Sequence, residues 1–543
     1  MKSKINKKAS SARIIISPHR WQIIGLSLLS VTQSVLQVVL AVVIKYVIDA
    51  ALTQGNLMLW GSVLVGNLLA IIVFYTAELW YAGKCADTFT AELRKQLLWS
   101  ATHSKDAKLQ SYHSGELLSR GMEDVNTISA GVMHALPLLA GQITRLVGSF
   151  AAVLLIQPVV AIILLVMATL MTLVATALRP LSKRCQRQVR QTEETLMATM
   201  QEDFQQMELI QSLQAQQQVK IRFDLRLKED LKAKLRRRCW TAGSNGAVAS
   251  ASYIGTGFVL LWGAAELVKK TITYGDLTSI LELLSLFRGP VLGISGQWNR
   301  LTAVEVACER LMDMLVQDDE QPDAQNAIGA VEAVVFEDVT FCYPGDEIPV
   351  VEHFNAIFPL SGWTCLTGIS GKGKSTLFKL MLGLYKPQQG RVYLQTAEGN
   401  IPCSEQTRHL FAYVPQDYAM LSGTVLENLQ LVAPEVSEAQ CRAALELADA
   451  GFIWETATGL QTRLGENNTG LSKGQLQRIA IARAILMDRP IFLLDECTSA
   501  LDALTEDAVL HNLRKLNKNA ILVTHRPQAV EGLDNVTFVP MDQ

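Results

Sequence analysis

The chain has 543 residues, room for more than one domain, and its 49% hydrophobic content with a mean hydropathy of +0.21 is high for a purely soluble protein. Lys and Arg number 49 against 51 Asp and Glu, and a net charge of −2 by itself says nothing of a nucleic-acid partner. Nine cysteines lie scattered without a C-x-x-C pair or a His/Cys cluster, which reads as reduced thiols on a cytosol-facing protein rather than a metal site or disulfide framework.

Residues 1–20 form a basic N-terminus carrying Lys2, Lys4, Lys7, Lys8, Arg13 and Arg20. Apolar stretches follow at about 21–48, 57–81, 128–156, 158–178, 241–268 and 274–301. Each reaches the ~20 residues needed to cross hydrocarbon, so six spans are expected in a membrane domain over 21–315. The first is far longer than the apolar core of a signal peptide and is taken as retained. Gln157-Pro158 marks a tight turn between two spans, because proline disfavours helix at the residue before it. Lys and Arg crowd the segments 83–125 and 179–240, whereas the connections near 49–57 and 157 have none and that near 268–275 has only Lys269 and Lys270. That asymmetry places the termini and both long connections in the cytoplasm. Residues 190–238 have few glycines, no proline and abundant Glu, Gln, Lys, Leu and Arg, which predicts helix continuing out of the membrane. Twenty extra helical residues project roughly 30 Å. An acidic, polar linker follows over 316–331, and a second domain over 332–543.

In that second domain, short continuous apolar runs end in functional residue types. Trp363–Thr367 leads to a glycine loop, Phe411–Val414 to Gln416, Ile491–Leu494 to Asp495 and Glu496, and Ala520–Val523 to His525. Such runs suit strands buried on both faces of a parallel sheet, which binds ligands beyond its C-terminal edge. The glycine loop, Gly368-Ile369-Ser370-Gly371-Lys372-Gly373-Lys374-Ser375-Thr376, fits G-x-x-x-x-G-K-[ST]. Its glycines let backbone N–H groups turn inward, Lys374 reaches the β- and γ-phosphates, and Ser375 holds Mg²⁺, so ATP with Mg²⁺ is the expected ligand pair. Six apolar stretches ahead of this motif exclude a soluble ATPase acting on DNA or ribosomes.

Leu471-Ser472-Lys473-Gly474-Gln475, followed by the helical Leu476–Ala484, resembles the L-S-G-G-Q signature of the ATP-binding cassette family. Ser472 caps that helix, leaving free N–H groups and a positive dipole for an anion. The six-span domain ahead of the cassette resembles the half-transporter exporters. The resemblance implies an all-α six-helix transmembrane domain with long cytoplasmic extensions, followed by an α/β P-loop ATPase domain. It makes Asp495 the Mg²⁺ carboxylate, Glu496 the general base or water-positioning group, His525 a γ-phosphate contact and Gln416 the residue that links the metal and attacking water to the membrane domain. Tyr343 matches the residue that stacks on adenine, and Ser499-Ala500-Leu501-Asp502 the loop where two cassettes meet. Thr462 to Glu466 resembles the stretch that contacts the helical extensions. Ser472, Gly474 and Gln475 would face ATP held by the other subunit's glycine loop, so a dimer is implied, a second identical or related half-transporter being the partner. Lys372 and Lys473 depart from the family pattern and add cations near the phosphates, and Cys497 stands where a small residue or proline is usual.

Family membership implies ATP-driven export from the cytoplasmic membrane and leaves the cargo open among peptide, lipid and drug, with a sensing membrane ATPase as the rival that moves nothing. Charge inside the membrane is costly and tends to face a bundle interior. Arg145, about 18 Å of helix before Gln157, is therefore expected with Glu282, Arg288 and Gln297 to line a wet cavity for an amphipathic, anionic or peptidic molecule.

Overall fold

The computed structural model describes residues 13–103, 118, 120–315, 329–344, 346, 348–369, 371–417, 420–464, 470–524, 526, 530 and 535–541. Ser370, His525, Gly465 and Glu466, the side chain of Arg288 and residues 316–328 of the expected linker lie outside this description. Two compact units divide the chain, a helical one over Met1–Leu98 and Gly115–Leu315 and a sheet-containing one over Trp99–Ser114 and Val316–Gln543.

Six long helices make the first unit: α1 (Arg20–Leu52), α2 (Leu57–His103), α3 (Leu136–Ile156), α4 (Pro158–Gln205), α5 (Gln216–Val268) and α6 (Tyr274–Leu315). Among the described residues, Arg13–Leu52, Leu57–Thr102 and Gly121–Ile156 are long and apolar enough to cross a membrane. Gln157 is extended (φ −151°, ψ 100°) and Pro158 opens α4, where the missing N–H of proline costs nothing. Helices α4 and α5 have 48 and 53 residues, roughly 72 and 80 Å of helix, well beyond a ~30 Å hydrocarbon core. The helix expected over 190–238 is interrupted once: a short helix, Met207–Ser212, and a left-handed Gln214 (φ 52°) reverse the chain. The polar halves of α4 and α5 then run antiparallel. Lys234 bridges Glu193 (3.0 Å) and Asp230 (2.9 Å), Thr192 donates to Asp230 (3.1 Å), and Arg222 pairs with Asp203.

Two apolar clusters hold this unit. One gathers Leu26, Phe89, Ile128, Met133 and Leu311. The other gathers Ala41, Val153, Val160, Ile280 and Leu283. Buried Ser30, Gln33 and Ser34 lie on α1 between Leu26 and Ala41, a polar stretch between the two clusters.

The second unit has a four-stranded antiparallel sheet, order β2-β1-β4-β5, from β1 (Val331–Phe341), β2 (Val351–Pro359), β4 (Gln389–Thr396) and β5 (Gly399–Pro402). Beside it stands a five-stranded parallel sheet, order β11-β3-β10-β9-β6, from β3 (Trp363–Thr367), β6 (Phe411–Val414), β9 (Ile491–Asp495), β10 (Asn519–Val523) and β11 (Val536–Pro540). The two-residue strands β7 (Gly423–Thr424) and β8 (Arg463–Leu464) pair separately. Helices α7 (Lys374–Met381), α8 (Val425–Gln430), α9 (Glu438–Leu447), α10 (Lys473–Leu486) and α11 (Ala503–Arg514) complete the unit. All five residues of β9 are buried, as a strand covered on both faces requires. The four apolar runs read from sequence are β3, β10, β9 and β6, adjacent in one sheet, so their C-terminal ends share one edge.

Candidate active site

The glycine loop joins β3 to α7. Gly371 and Gly373 take φ of 83° and 92°, the left-handed region open to glycine. A Cβ at Gly373 would also stand 2.9 Å from Val350 Cγ1, so the loop closes only without a side chain there. Lys374 is buried (5% exposed), and its ammonium donates to the carbonyls of Gly368 (2.6 Å) and Ile369 (3.3 Å), which pins the cation inside the loop. Thr376 Oγ1 lies 3.0 Å from Tyr343 Oη, and Lys379 Nζ sits 5.5 Å from the Tyr343 ring centre. Tyr343, expected to stack on adenine, therefore rests edge-on to Phe341 and Tyr385 with its hydroxyl tied to the loop's helix.

The strand ends bring two carboxylates to the same edge. The Tyr413 hydroxyl donates to Asp495 Oδ2 at 3.3 Å, and the Ser375 hydroxyl lies near enough to favour the Asp495 carboxylate. Burial raises the Asp495 pKa, the Glu496 charge adds to the rise, and the two hydroxyls oppose it. Burial likewise raises the Tyr413 pKa, keeping the phenol protonated as a donor. Asp495 Oδ1 is buried without a hydrogen-bond partner among the described residues, and such an acceptor is costly unless a cation or donor meets it. A hard cation prefers oxygen ligands, so Ser375 and Asp495 fit Mg²⁺. Glu496 follows β9 in a left-handed conformation (φ 48°), rare for a side chain of this kind, while its N–H donates to Val523 O (3.0 Å) on β10. Gln416 Nε2 donates to Glu496 Oε2 at 2.6 Å, so the ends of β6 and β9 bring the expected base and its expected partner into contact.

Ser472 caps α10 as its sequence suggests. Its hydroxyl accepts from Gln475 N (3.2 Å), while the Gln475 side chain accepts from Ser472 N (2.7 Å), a reciprocal capping box. Ser472 and the neighbouring Lys473 are exposed, as is Lys372 in the glycine loop. Gly474 is buried, and a Cβ there would stand 2.8 Å from Ala500 O. Asp502 caps α11 by accepting from Thr505 N (3.0 Å) and Thr505 Oγ1 (2.8 Å), bonds that lower its pKa.

Sequence reasoning missed the groups that hold the loop between these helices. Gln477, two residues past the signature, donates to Ser499 Oγ (3.2 Å) and accepts from Ala500 N (3.1 Å). Buried Glu506 accepts from Thr498 Oγ1 (2.7 Å) and Arg526 Nη1 (3.0 Å). Cys497 is fully buried, and burial pushes its thiol up to about 12. In the helical unit, Glu282 lies beside Leu283 and Leu284 of one apolar cluster, fifteen residues or roughly 22 Å along α6 from Gln297.

Comparison with known proteins agrees with these two units. The family model "ABC transporter transmembrane region" matches residues 23–291, and the model "ABC transporter" matches residues 352–499. An ATP-dependent lipid A-core flippase from Salmonella paratyphi A is 28% identical over 509 residues, 90% of this chain and 85% of that protein. Higher identity over shorter stretches is found with the ATP-dependent lipid A-core flippase of Photorhabdus laumondii, 32% over 52% of this chain, and with the Mesentericin-Y105 transport/processing ATP-binding protein MesD of Leuconostoc mesenteroides, 34% over 54%. Those two alignments span 49% and 42% of the relatives' own lengths. A bacterial Atm1-family ABC exporter solved with ATP bound has the same fold, with a TM-score of 0.79 at 19% identity over 97% of this chain and 95% of that one. A helical membrane unit and a P-loop unit in one chain, each matching its own family model, make this protein a member of the ATP-binding cassette transporter family, an ATP-hydrolysing half-transporter with a single cassette.

Proposed function

We propose that two such half-transporters, identical or closely related, use ATP to export an amphipathic molecule, a peptide by preference, across the cytoplasmic membrane. Six spans per chain follow from the six apolar stretches, and cytoplasmic termini and a cytoplasmic cassette from the Lys and Arg distribution. The observation that carries the reading is the meeting of Gln416, Asp495 and Glu496 with the glycine loop at one sheet edge. There Lys374 would neutralise the β- and γ-phosphates, and Ser375 and Asp495 would hold Mg²⁺. When bound, that ion polarises the γ-phosphoryl oxygens and draws off developing charge. Gln416 orients the attacking water, Glu496 takes its proton, and His525 is assigned the γ-phosphate contact. Gly368, Ser370, Gly371, Lys372, Gly373 and Thr376 would complete the phosphate cradle, with Tyr343 against the base. Ser472, Gly474, Gln475 and Asp502 would meet the nucleotide held by the second subunit, which is why each site needs two chains.

Relatives named as lipid A-core flippases favour lipid as the second reading of the cargo, while the name of MesD favours the first. Membrane vesicles holding the cassette outward test the function: ATP should drive accumulation of peptide, and Glu496→Gln should abolish it. ATP turnover with no accumulation of peptide, lipid or drug would instead support a sensing ATPase.

A further inference from the structure

A polar layer crosses the helical unit between its two apolar clusters, and nothing in the ATP cycle uses it. Glu78 on α2 stands close to Ser30 on α1 and within electrostatic reach of Arg145 on α3. The helices are in close register here. A Cβ at Gly141 on α3 would run into Ser30 Oγ, and one at Gly293 on α6 would run into Gln142 Nε2. Gln297 is four residues from Gly293, one turn along the same face of α6. Thus α1, α2, α3 and α6 all contribute at one level. Ser34 Oγ is satisfied by Ser30 O at 2.8 Å, but Arg145 Nε, Gln142 Oε1 and Gln297 Oε1 are buried with no hydrogen-bond partner among the described residues. Three such orphans in one layer are expensive for a fold to keep, and a bound molecule with matching groups would remove the expense.

We propose that Glu78, Gln142, Arg145 and Gln297 form a binding site for the backbone of an apolar peptide. The inference rests on the export reading above and deepens it by naming the substrate class. Among the described side chains of the layer, the one carboxylate and one guanidinium cancel, so the layer has no surplus cation with which to strip water from a bis-phosphorylated lipid head group. Each glutamine offers a donor and an acceptor on one planar amide, the pairing that a peptide N–H and C=O present in return. Arg145 suits a peptide carbonyl or terminal carboxylate, and Glu78 an N–H or terminal amine. The apolar clusters on either side offer surface to apolar side chains.

The test uses the full-length protein in lipid nanodiscs without nucleotide. Binding of a fluorescein-labelled, leucine-rich nonapeptide with a free C-terminus is followed by anisotropy and competed with unlabelled peptide or with bis-phosphorylated lipid A. Wild type should bind the peptide and release it to unlabelled peptide. Glu78→Gln and Arg145→Gln should each weaken binding roughly tenfold or more, the scale of one charge-assisted hydrogen bond. Glu78→Asp and Arg145→Lys, which keep the charges, should recover most of that loss. Size-exclusion elution and the ATP-induced shift in melting temperature report folding in every variant. Binding within twofold of wild type in both neutralised variants overturns the proposal, as does displacement of peptide by lipid A at lower concentration than by peptide itself. Because binding is read without ATP, a failure of Glu496-dependent turnover or transport would strike the export reading and leave this result standing apart from it.

Discussion

Replacing Gln477 with Leu isolates what the signature helix does for the loop that follows Glu496. Gln477 is 2% exposed and sends both ends of its amide to that loop, to Ser499 Oγ at 3.2 Å and from Ala500 N at 3.1 Å. Leu has nearly the same volume, so packing is kept and the change removes two hydrogen bonds. At ~0.5–1.5 kcal/mol each they are worth about 1–3 kcal/mol. Ser499 and Ala500 are exposed and regain water when the amide is lost, which returns roughly half. The remaining ~0.5–1.5 kcal/mol is expressed where loop geometry counts. On the proposal that two cassettes meet at this loop, that is the transition state of hydrolysis, and kcat should fall by about three- to tenfold. KM for ATP should stay within about twofold, because Gln477 touches neither the glycine loop nor Tyr343. Steady-state Mg-ATPase in nanodiscs gives both constants, and a melting curve should show a shift of only about 2–4 °C for each kcal/mol lost. A kcat within twofold of wild type, with the melting temperature unchanged, would show that the Gln477 bonds do not position the loop. A matched rise in KM would move their role to nucleotide binding.

Four further outcomes follow from the geometry. Glu496→Gln should keep ATP affinity within about threefold while cutting turnover at least ~100-fold, the range expected for losing a general base; equilibrium nucleotide binding beside a phosphate-release assay reads both, and residual turnover above a tenth of wild type would remove Glu496 from that role. Gly474→Ala forces a Cβ to 2.8 Å from Ala500 O, so it should cost about 1–3 kcal/mol in denaturant unfolding of the cassette and depress ATPase with it; a silent substitution would mean that the two helices can separate freely. Tyr343→Phe loses only the hydroxyl contact with Thr376, whereas Tyr343→Ala loses the ring; the first should leave ATP affinity within about twofold and the second weaken it roughly tenfold, and equal losses would assign the role to the hydroxyl. Burial pushes the Cys497 thiol up to about 12, and Cys239 is exposed. At pH 8 only about one part in ten thousand of Cys497 would be thiolate, so iodoacetamide followed by peptide mass mapping should find Cys239 alkylated and Cys497 spared in the native protein.

The parts of the cassette that were legible in the sequence are those whose physics is local. The glycine loop needs left-handed glycines, a lysine and a hydroxyl within a few consecutive residues, and Gly371, Gly373, Lys374 and Ser375 sit in the structure as that spacing requires. The parallel strands were legible because burial on both faces leaves unbroken apolar runs. The antiparallel sheet was not, since β1 is interrupted by register shifts around Val339 and by left-handed Asp338 (φ 50°), which blur its alternation. The reversal between α4 and α5 was hidden for a related reason: Gln214 takes a glycine-like φ without being glycine, so no turn residue announces it.

What the sequence conceals most completely is polarity satisfied, or left unsatisfied, across distance. Glu496 and Gln416 are 80 positions apart, and a strand-end pattern aided by family resemblance was needed to pair them. Glu506 and Arg526 are 20 apart and carry no motif, yet they brace the same loop as Gln477. In the membrane unit a search for charge finds Arg145 but passes over Glu78, because it stands near the end of an apolar stretch, and over Gln142, because an amide has no charge. The cost that makes these residues informative is a missing partner in a buried place, a property of four helices at one level and of no single one. Arg145 alone suggests an anionic cargo. Arg145 beside Glu78, with two glutamine amides around them, turns that expectation toward a ligand that both donates and accepts, and Glu78→Gln separates the two readings, because loss of the carboxylate should tighten binding of an anion and weaken that of a peptide.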